Sequence, residues 1–278
     1  MPDHPSPAAS AAPATDEVLT EHDGAVARIT INRPERRNAM SWGVMTGLRQ
    51  AVAAAKADTA IRVVVLGGAG DEAFCAGADL GGMAGGAQGE EAGGFLPTHR
   101  SRGVLAELFE DLWHLGKPTI ARVQGWAMAG GLGLALACDL VLASDHARFG
   151  APEINVGLWP YMITVPLVRS MAPKKALELM LTGRVVGAEE AERIGFVTRV
   201  VPHEALDAAV DELAATLAAK SPAAMLLGRQ AFYGVWDMAA SEALPHLHAM
   251  LTLTNQTDDA AEGISAFLEK RPPRWTGR

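Results

Sequence analysis

The chain has 278 residues, 49% of them hydrophobic, and a formal net charge of −8. That length and apolar content suffice for one large domain with a sizeable core, and they exclude disorder over most of the chain. The negative charge argues against nucleic acid as the main partner, because binding to phosphates needs a basic surface.

The N-terminal residues, the apolar segments and the cysteines indicate the cellular location of the protein. Residues 1–15 are rich in Pro, Ala and Ser and lack the basic start and apolar block of a secretory signal, so we expect a flexible tail. No apolar segment reaches the roughly 18 uninterrupted residues of a membrane-spanning helix, which predicts a soluble protein with no membrane partner. Cys75 and Cys138 are too few for a disulfide framework, which favours buried thiols and a cytoplasmic protein.

Strands and helices alternate in the first half of the chain. Residues 26–32 have the pattern of a strand that ends at Arg33-Pro34. Ser41 is the expected N-cap of a helix that continues to Asp58. The apolar run 63–66 predicts a strand that is covered on both faces and paired in parallel. The next predicted elements are a helix over 104–115, a strand over 119–123, a glycine turn with a buried helix over 125–137, and a strand over 140–143.

The second half is mainly helical. The apolar spacing after Pro160 predicts helices over 174–181, 188–194, 204–219, 222–233 and 241–269, with one strand over 197–201. This order indicates an α/β domain over residues 16–220 and a helical extension over 221–278. The glycine-rich residues 81–94 carry little core-forming content and are predicted to form a mobile lid.

Two glycine-containing turns can present free backbone amides to an anion. They cover residues 74–80 and 125–133, and each follows a predicted strand and precedes a predicted helix, whose first amides have no internal partner. Close packing of the backbone is the plainer explanation of either turn alone. The second turn lacks the third glycine of a dinucleotide fingerprint, and the chain has neither Gly-x-Ser-x-Gly nor a phosphate-cradling Gly-Lys-Ser/Thr.

Several motifs in a fixed order make the chain resemble the enoyl-CoA hydratase/isomerase (crotonase) superfamily, from about Val18 to Arg274. Besides the two turns, the motifs are RPERRNAM (33–40), ACD (137–139), FGAPEI (149–154), LTG (181–183), AEEA (188–191), GFV (195–197) and EGISAFLEKR (262–271). The resemblance implies a spiral of ββα turns with a helical C-terminal trimerisation region. It also implies an acyl-CoA thioester substrate and a homotrimer or dimer of trimers.

The resemblance assigns catalytic roles to three residues. The backbone N–H groups of Ala78 and Gly130 match the oxyanion hole that stabilises a thioester enolate, and loss of one such donor commonly costs about 10²–10³ in rate. Glu153 matches the family's catalytic glutamate in Phe-Gly-x-Pro-Glu. A glutamate beside an apolar pocket has a raised pKa, which suits acid/base work near neutral pH. Without the family, a glutamate after a proline is normally a surface residue.

Gly133 stands where two-glutamate hydratases of this family have their other glutamate. Hydration usually divides its work between two carboxylates, whereas one carboxylate is sufficient to move a double bond. A 2-enoyl-CoA hydratase is the family default, and an enoyl-CoA isomerase is the mechanistic rival. A non-catalytic acyl-CoA-binding or scaffold member is a third hypothesis, suggested by Gly133 and Tyr161. An oxidoreductase is disfavoured, because no acidic residue follows the glycines at the ribose-binding distance.

The binding residues are also implied by the resemblance. No cofactor is expected beyond the coenzyme A moiety of the substrate. Its predicted contacts are Arg36, Arg37, Ala39, Ala76, Asp79, Leu80, Phe267 and Lys270, the last two from a neighbouring subunit. The predicted acyl-pocket residues are Met83, Trp126, Gly133, Pro152 and Tyr161. Lys270 can equally be a solvated lysine, and Tyr161 can merely pack. His246 and His248 point to different faces of a helix, so no metal site is predicted.

Overall fold

The structure is a computed structural model, which describes residues 17–79, 99 and 103–278. The predicted tail over 1–15 and the predicted lid over 81–94 lie outside the described residues, as do Leu80 and Met83. Predictions about these segments therefore stay predictions.

The described residues contain ten strands in two sheets. The strands are β1 (Val18–Asp23), β2 (Val26–Ile31), β3 (Val63–Gly68), β4 (Ala73–Cys75), β5 (Thr119–Val123), β6 (Trp126–Met128), β7 (Leu140–Ser144), β8 (Arg148–Gly150), β9 (Val185–Gly187) and β10 (Arg199–Val201). One sheet has the order β1-β2-β3-β5-β7-β10 and the other has the order β4-β6-β8-β9. The pairs β1-β2 and β8-β9 are antiparallel, and the other pairs are parallel.

Ten α-helices lie in the same described part of the chain. They are α1 (Trp42–Ala57), α2 (Val104–Trp113), α3 (Gly130–Ala137), α4 (Tyr161–Ser170), α5 (Pro173–Thr182), α6 (Ala188–Ile194), α7 (Leu206–Ala218), α8 (Pro222–Gly234), α9 (Ala240–Asn255) and α10 (Asp258–Glu269). Short 3₁₀ helices cover Pro34–Arg36, Pro152–Val156 and His203–Ala205. Ser41 caps α1 as predicted, because its hydroxyl accepts from Val44 N at 3.0 Å.

The order of the elements produces the predicted spiral of ββα turns. Three times, a strand of the first sheet is followed in the chain by a strand of the second sheet. These successive strand pairs are β3 and β4, β5 and β6, and β7 and β8. Helices α2, α3 and α4 follow these pairs in the chain. Every residue of β3 is buried, and β3 pairs in parallel with β2 and β5, as its unbroken apolar run predicts.

The helical predictions need two corrections. The single helix predicted over 241–269 is wrong, because α9 and α10 are separate helices and Thr257 caps the second one by accepting from Ala260 N at 3.1 Å. A threonine side chain that satisfies a free amide favours a new helix start over continuation. Helix α4 was not among the predicted elements. The division of the chain at residue 221 stays a prediction.

The two cysteines are both buried, which confirms the prediction of inert core thiols. Burial raises the pKa of the Cys75 thiol to about 12, so the thiol stays protonated at neutral pH. Both belong to the main apolar core, which lies between the two sheets and the helices α1, α2 and α3.

Candidate active site

The segment 33–41 aligns the turn that carries Ala78. Met40 N donates to Gly77 O at 2.8 Å, and Asp79 N donates to Met40 O at 3.0 Å. In a parallel bridge these two bonds flank the intervening residue, so the Ala78 amide faces away from Met40. Among the described residues, no backbone carbonyl accepts a hydrogen bond from Ala78 N.

The second turn places Gly130 at the start of α3, where the amide has no partner within the helix. Ala129, the residue before it, has φ 51° and ψ −127°, a conformation that L side chains rarely adopt. Such a residue stores about 1–3 kcal/mol of strain, which the surrounding structure must offset. The strained backbone at Ala129 therefore sets the direction of the Gly130 N–H. An alanine carries no sequence signal for this conformation, so the prediction missed Ala129.

The two turns lie against each other because β4 and β6 are neighbours in the second sheet. A Cβ on Gly77 would lie 2.8 Å from Ala129 Cβ and 3.6 Å from Gly130 N. A Cβ on Gly131 would lie 2.2 Å from Cys75 O. Only glycine permits this approach of two backbones. Close packing of the two turns therefore brings Gly77 and Gly131 against the opposite backbone.

Both turns line one cavity of about 560 Å³, which also contains Glu153. The other lining residues are mainly apolar: Met40, Trp42, Met45, Ala76, Leu105, Ala129, Pro152, Asn155, Val156, Leu158, Trp159, Pro160, Tyr161, Met162 and Ile163. In the described part of the chain, no lysine, arginine or histidine lines this cavity, and Glu153 is its one carboxylate. The cavity can hold an apolar group beside a single acid/base.

Glu153 lies in the 3₁₀ helix Pro152–Val156, which follows β8 and precedes α4. Its Oε2 atom is buried and has no hydrogen-bond partner among the described residues. Burial raises the pKa of the carboxyl above its ordinary value of 4.5, and a hydrogen bond from the residue's own backbone amide opposes the rise in this pKa. An incompletely solvated carboxyl of this kind is suited to taking and returning a proton.

The structure brings together most of the predicted catalytic and pocket residues. Ala78, Gly130, Glu153 and Pro152 line the cavity, as does Tyr161, which is 71% exposed at its mouth. The predicted coenzyme A contact Ala76 lines the same cavity.

Two predicted pocket residues lie elsewhere. Gly133 is buried inside α3, and a Cβ there would lie 2.3 Å from Ile163 Cγ2 and 2.9 Å from Phe109 Cζ. Trp126 is the first residue of β6 and is 38% exposed. Neither residue lines the cavity, and the space beside Gly133 is filled by Ile163 of α4 and Phe109 of α2. The assignment of Gly133 and Trp126 to the acyl pocket therefore stays a prediction that the lining of this cavity does not support.

The remaining described residues among the predicted coenzyme A contacts fall into three groups. Arg36 and Arg37 lie in the turn that leads to Met40, and Arg37 forms an ion pair of 2.6 Å with Glu72. Ala39 and Asp79 lie beside the Ala78 turn and bind Arg33. Phe267 and Lys270 lie on and just after α10, where Phe267 is 83% exposed, and neither lines the cavity of this chain. Their contact with coenzyme A from a neighbouring subunit stays a prediction.

A polar cluster around Asp139 joins α8 to the core and was not predicted. Arg229 donates from Nε and Nη2 to Asp139 at 3.0 and 2.9 Å, and Tyr233 OH donates to the same carboxylate. Thr119 donates from its backbone N at 2.7 Å and from its hydroxyl at 3.0 Å. The sequence signal for this cluster was Asp139 itself, but its partners lie far along the chain.

The described residues lack the features of two other kinds of site. They contain no group of three or more His, Cys, Asp or Glu side chains placed to hold a metal ion. No helix in that part of the chain has the length and apolar character needed to cross a membrane.

Comparisons with known proteins bear on the family of this chain. A sequence model of the family described as enoyl-CoA hydratase/isomerase matches residues 21–278. The Escherichia coli K12 protein named 2,3-dehydroadipyl-CoA hydratase is 35% identical over 263 residues, which cover 94% of this chain and 99% of that protein.

Solved structures give the same result. The crystal structure of an enoyl-CoA hydratase from Mycobacterium smegmatis has a TM-score of 0.86 at 33% identity and covers 94% of this chain and 99% of that chain. An enoyl-CoA hydratase from Bacillus anthracis has a TM-score of 0.86 at 31% identity, with 95% and 100% covered. These likenesses confirm the predicted crotonase-like fold. The chain therefore belongs to the enoyl-CoA hydratase/isomerase family of enzymes.

Proposed function

We propose that this protein acts on an enoyl-CoA thioester, stabilises its enolate with the amides of Ala78 and Gly130, and moves protons with Glu153. One observation carries this proposal: two backbone amides without a described backbone acceptor and one partly buried carboxyl line the same apolar cavity. Negative charge develops on a thioester oxygen when a proton leaves the α carbon or when water adds to C3, and it disappears when the resulting enolate takes up a proton. Two fixed donors in a water-poor cavity stabilise that charge strongly.

Hydration of a 2-enoyl-CoA is the first candidate for the net reaction. In it, the oxygen of water adds to C3 and a proton is delivered to C2 through the enolate. The names of the relatives support this reaction, since those described above are hydratases. In this chain Glu153 alone has to orient the water and supply the proton, because the cavity has no second carboxylate among its described residues.

Movement of the double bond is the second candidate, and the surroundings of Gly133 favour it. Glu153 takes a proton from C2 of a 3-enoyl-CoA and returns it to C4, which yields the 2-enoyl isomer with no water consumed. One carboxyl suffices for this reaction. The space that a second carboxylate would need at position 133 is filled by Ile163 and Phe109.

Product analysis distinguishes the two reactions. The purified protein is incubated with matched 2-enoyl-CoA and 3-enoyl-CoA substrates, and the products are examined by mass spectrometry after chromatographic separation. Hydration adds the mass of one water to the 2-enoyl substrate, whereas isomerisation interconverts the two substrates at constant mass. Turnover of neither substrate would overturn the proposal and leave an acyl-CoA-binding or scaffold role.

The acyl group that this cavity accepts is uncharged in our proposal. A terminal carboxylate inside it would meet no lysine, arginine or histidine of the described chain. Burial of an unpaired charge costs several kcal/mol. An acyl-CoA with an apolar chain should therefore react with a higher kcat/KM than the chain of equal length that ends in a carboxylate. Equal values for the two substrates would contradict this part of the proposal.

The coenzyme A contacts, the trimeric assembly and the cytoplasmic location complete the proposed function. Arg36 and Arg37 are available near the cavity, because they precede Met40 in the same loop. Helix α9 has no buried residue in the single chain, which supports an assembly that covers it. Size-exclusion chromatography with light scattering tests the trimer, and a monomer at working concentration would contradict it.

A further inference from the structure

Arg33 lies at the centre of a polar cluster next to the Ala78 turn. Its Nε atom lies 2.9 Å from Glu17 Oε1, and its Nη2 atom donates to Asp79 Oδ2 at 2.8 Å. Its Nη1 atom donates to Ala39 O at 2.7 Å. The Arg33 side chain is only 14% exposed. All three nitrogens of the guanidinium therefore have fixed acceptors in a setting where water competes weakly.

The acceptors of Arg33 lie on both sides of the proposed enolate donor. Asp79 directly follows Ala78, and Ala39 directly precedes Met40, whose backbone bridges to Gly77 and Asp79. The guanidinium thus joins the two strands of this bridge at one end. The planar, rigid fork of an arginine fixes both partners in direction as well as in distance.

Further bonds connect the same two segments. Ala76 N donates to Arg37 O at 3.0 Å. The fully buried Asn38 donates to Ala73 O at 2.7 Å, and its Oδ1 accepts from Arg33 N at 3.0 Å. The backbone around Ala78 is therefore held before, at and after the turn. Along the segment that contains Ala78, the Arg33–Asp79 ion pair is the attachment nearest the C-terminal end.

We propose that Arg33 is a positioning residue that fixes the Ala78 amide for the developing enolate oxygen through Asp79 and Ala39. This inference rests on the proposed function, because it assumes that Ala78 N binds that oxygen. Arg33 does not line the cavity, so in this proposal it acts through Asp79 and Ala39 and not by contact with the acyl group. Its effect on rate arises from the direction of the amide, since misplacement by about 1 Å can cost 10²-fold.

The kinetic test separates positioning from stability. Arg33→Gln removes the charge and two of the donors, and kcat of the folded protein should fall by about 10- to 100-fold with KM changed less than about threefold. Arg33→Lys should recover part of kcat, because an ammonium can still pair with Asp79. The matched control is Arg28→Gln, which removes the ion pair with Asp211 on the other side of the first sheet and should leave kcat unchanged.

A spectroscopic test measures the amide directly. In the Glu153→Gln background, which blocks turnover, a conjugated 3-arylpropenoyl-CoA should show a red-shifted absorbance when the two amides polarise its carbonyl. Adding Arg33→Gln should remove about half or more of the shift, since one of the two donors is misplaced. Adding Arg33→Lys should restore part of it, and adding Arg28→Gln should leave it intact. Asp79→Asn provides the same measurement if Arg33→Gln does not fold.

Each outcome decides a different claim. An undiminished red shift in Arg33→Gln or Asp79→Asn would overturn the role of Arg33 and leave the proposed function standing. The absence of a red shift with Glu153→Gln alone would overturn the amide pair itself and the Arg33 inference with it. A lower yield of folded protein with normal kcat and a normal shift would assign Arg33 to stability and reject positioning.

Discussion

Two carboxylates illustrate opposite uses of a partly buried charge in this protein. Asp139 accepts hydrogen bonds from Thr119, Arg229 and Tyr233, and it holds α8 against the core. Glu153 lies in an apolar cavity, where its Oε2 atom has no partner among the described residues. The first arrangement stabilises the charge, whereas the second raises the pKa of the carboxyl through burial.

This difference indicates which of the two carboxyl groups is suited to proton transfer. A carboxylate whose oxygen atoms already accept hydrogen bonds from several donors has no free position at which to take a proton from a substrate. A carboxyl without partners is costly to the fold and persists where function requires it. The hydrogen bonds of Asp139 and the unpartnered Oε2 atom of Glu153 therefore favour Glu153 as the proposed proton carrier without reference to the relatives.

The largest expected effect follows from removing the proton carrier. Glu153→Gln preserves shape and removes the titratable group, so kcat should fall by about 10²–10⁴-fold, the usual contribution of general acid/base catalysis. The protein should stay folded, because no described partner of Oε2 is lost. Glu189→Gln, an exposed glutamate on α6, serves as the control in the same assay. A Glu153→Gln rate within about twofold of wild type would reject the assigned role.

The second prediction concerns the saturated carboxylate. Asp139→Asn leaves the buried Arg229 without its counter-charge, and the free energy of unfolding should drop by about 3 kcal/mol. Specific activity of the folded fraction should stay near wild type. Urea unfolding measures the first quantity and steady-state kinetics the second. A large loss of specific activity in the folded Asp139→Asn protein would contradict a purely structural role for Asp139.

The third prediction tests whether the space beside Gly133 in α3 is filled. Gly133→Ala introduces a Cβ that would lie 2.3 Å from Ile163 Cγ2, so overpacking should lower the free energy of unfolding by about 1–3 kcal/mol.

The matched control is Gly228→Ala in α8, where a Cβ meets nothing within 4 Å. That variant should be stabilised by about 0.5–1 kcal/mol, because alanine is the better helix former. Equal effects of the two substitutions would show that Ile163 and Phe109 do not fill the space beside Gly133.

The smallest expected effect is the pH dependence of stability. Because burial raises the pKa of Glu153 above 4.5, the folded protein holds this proton more tightly than the unfolded chain does. The stability of wild type relative to Glu153→Gln should therefore be greatest below about pH 4.5 and should fall as pH rises through the raised pKa. Urea unfolding of both variants across this range tests the sign. A relative stability that rises with pH would contradict the assigned environment of Glu153.

The sequence predicted those features of the fold and of the site that depend on residues close together in the chain. Ser41 caps α1 because its hydroxyl reaches an amide three residues away, and β3 is buried because its apolar run is unbroken. The glycine turns and Glu153 were predicted from motifs of the family, and they do line one cavity. The predicted helix over 241–269 failed because apolar spacing continues across Thr257, where the cap starts a new helix.

Local patterns thus determined the α/β class and the two turns, and the family motif Phe-Gly-x-Pro-Glu identified the candidate carboxyl. Only the tertiary structure decided that Ala129 is strained, that Ile163 and Phe109 fill the space at Gly133, and that Arg33 joins Ala39 to Asp79. The physical reason is the separation along the chain of the residues that produce each feature. Caps, turns and strand periodicity arise between residues a few positions apart, whereas direction of an amide, solvation of a carboxyl and free volume depend on segments that meet only after the chain has folded.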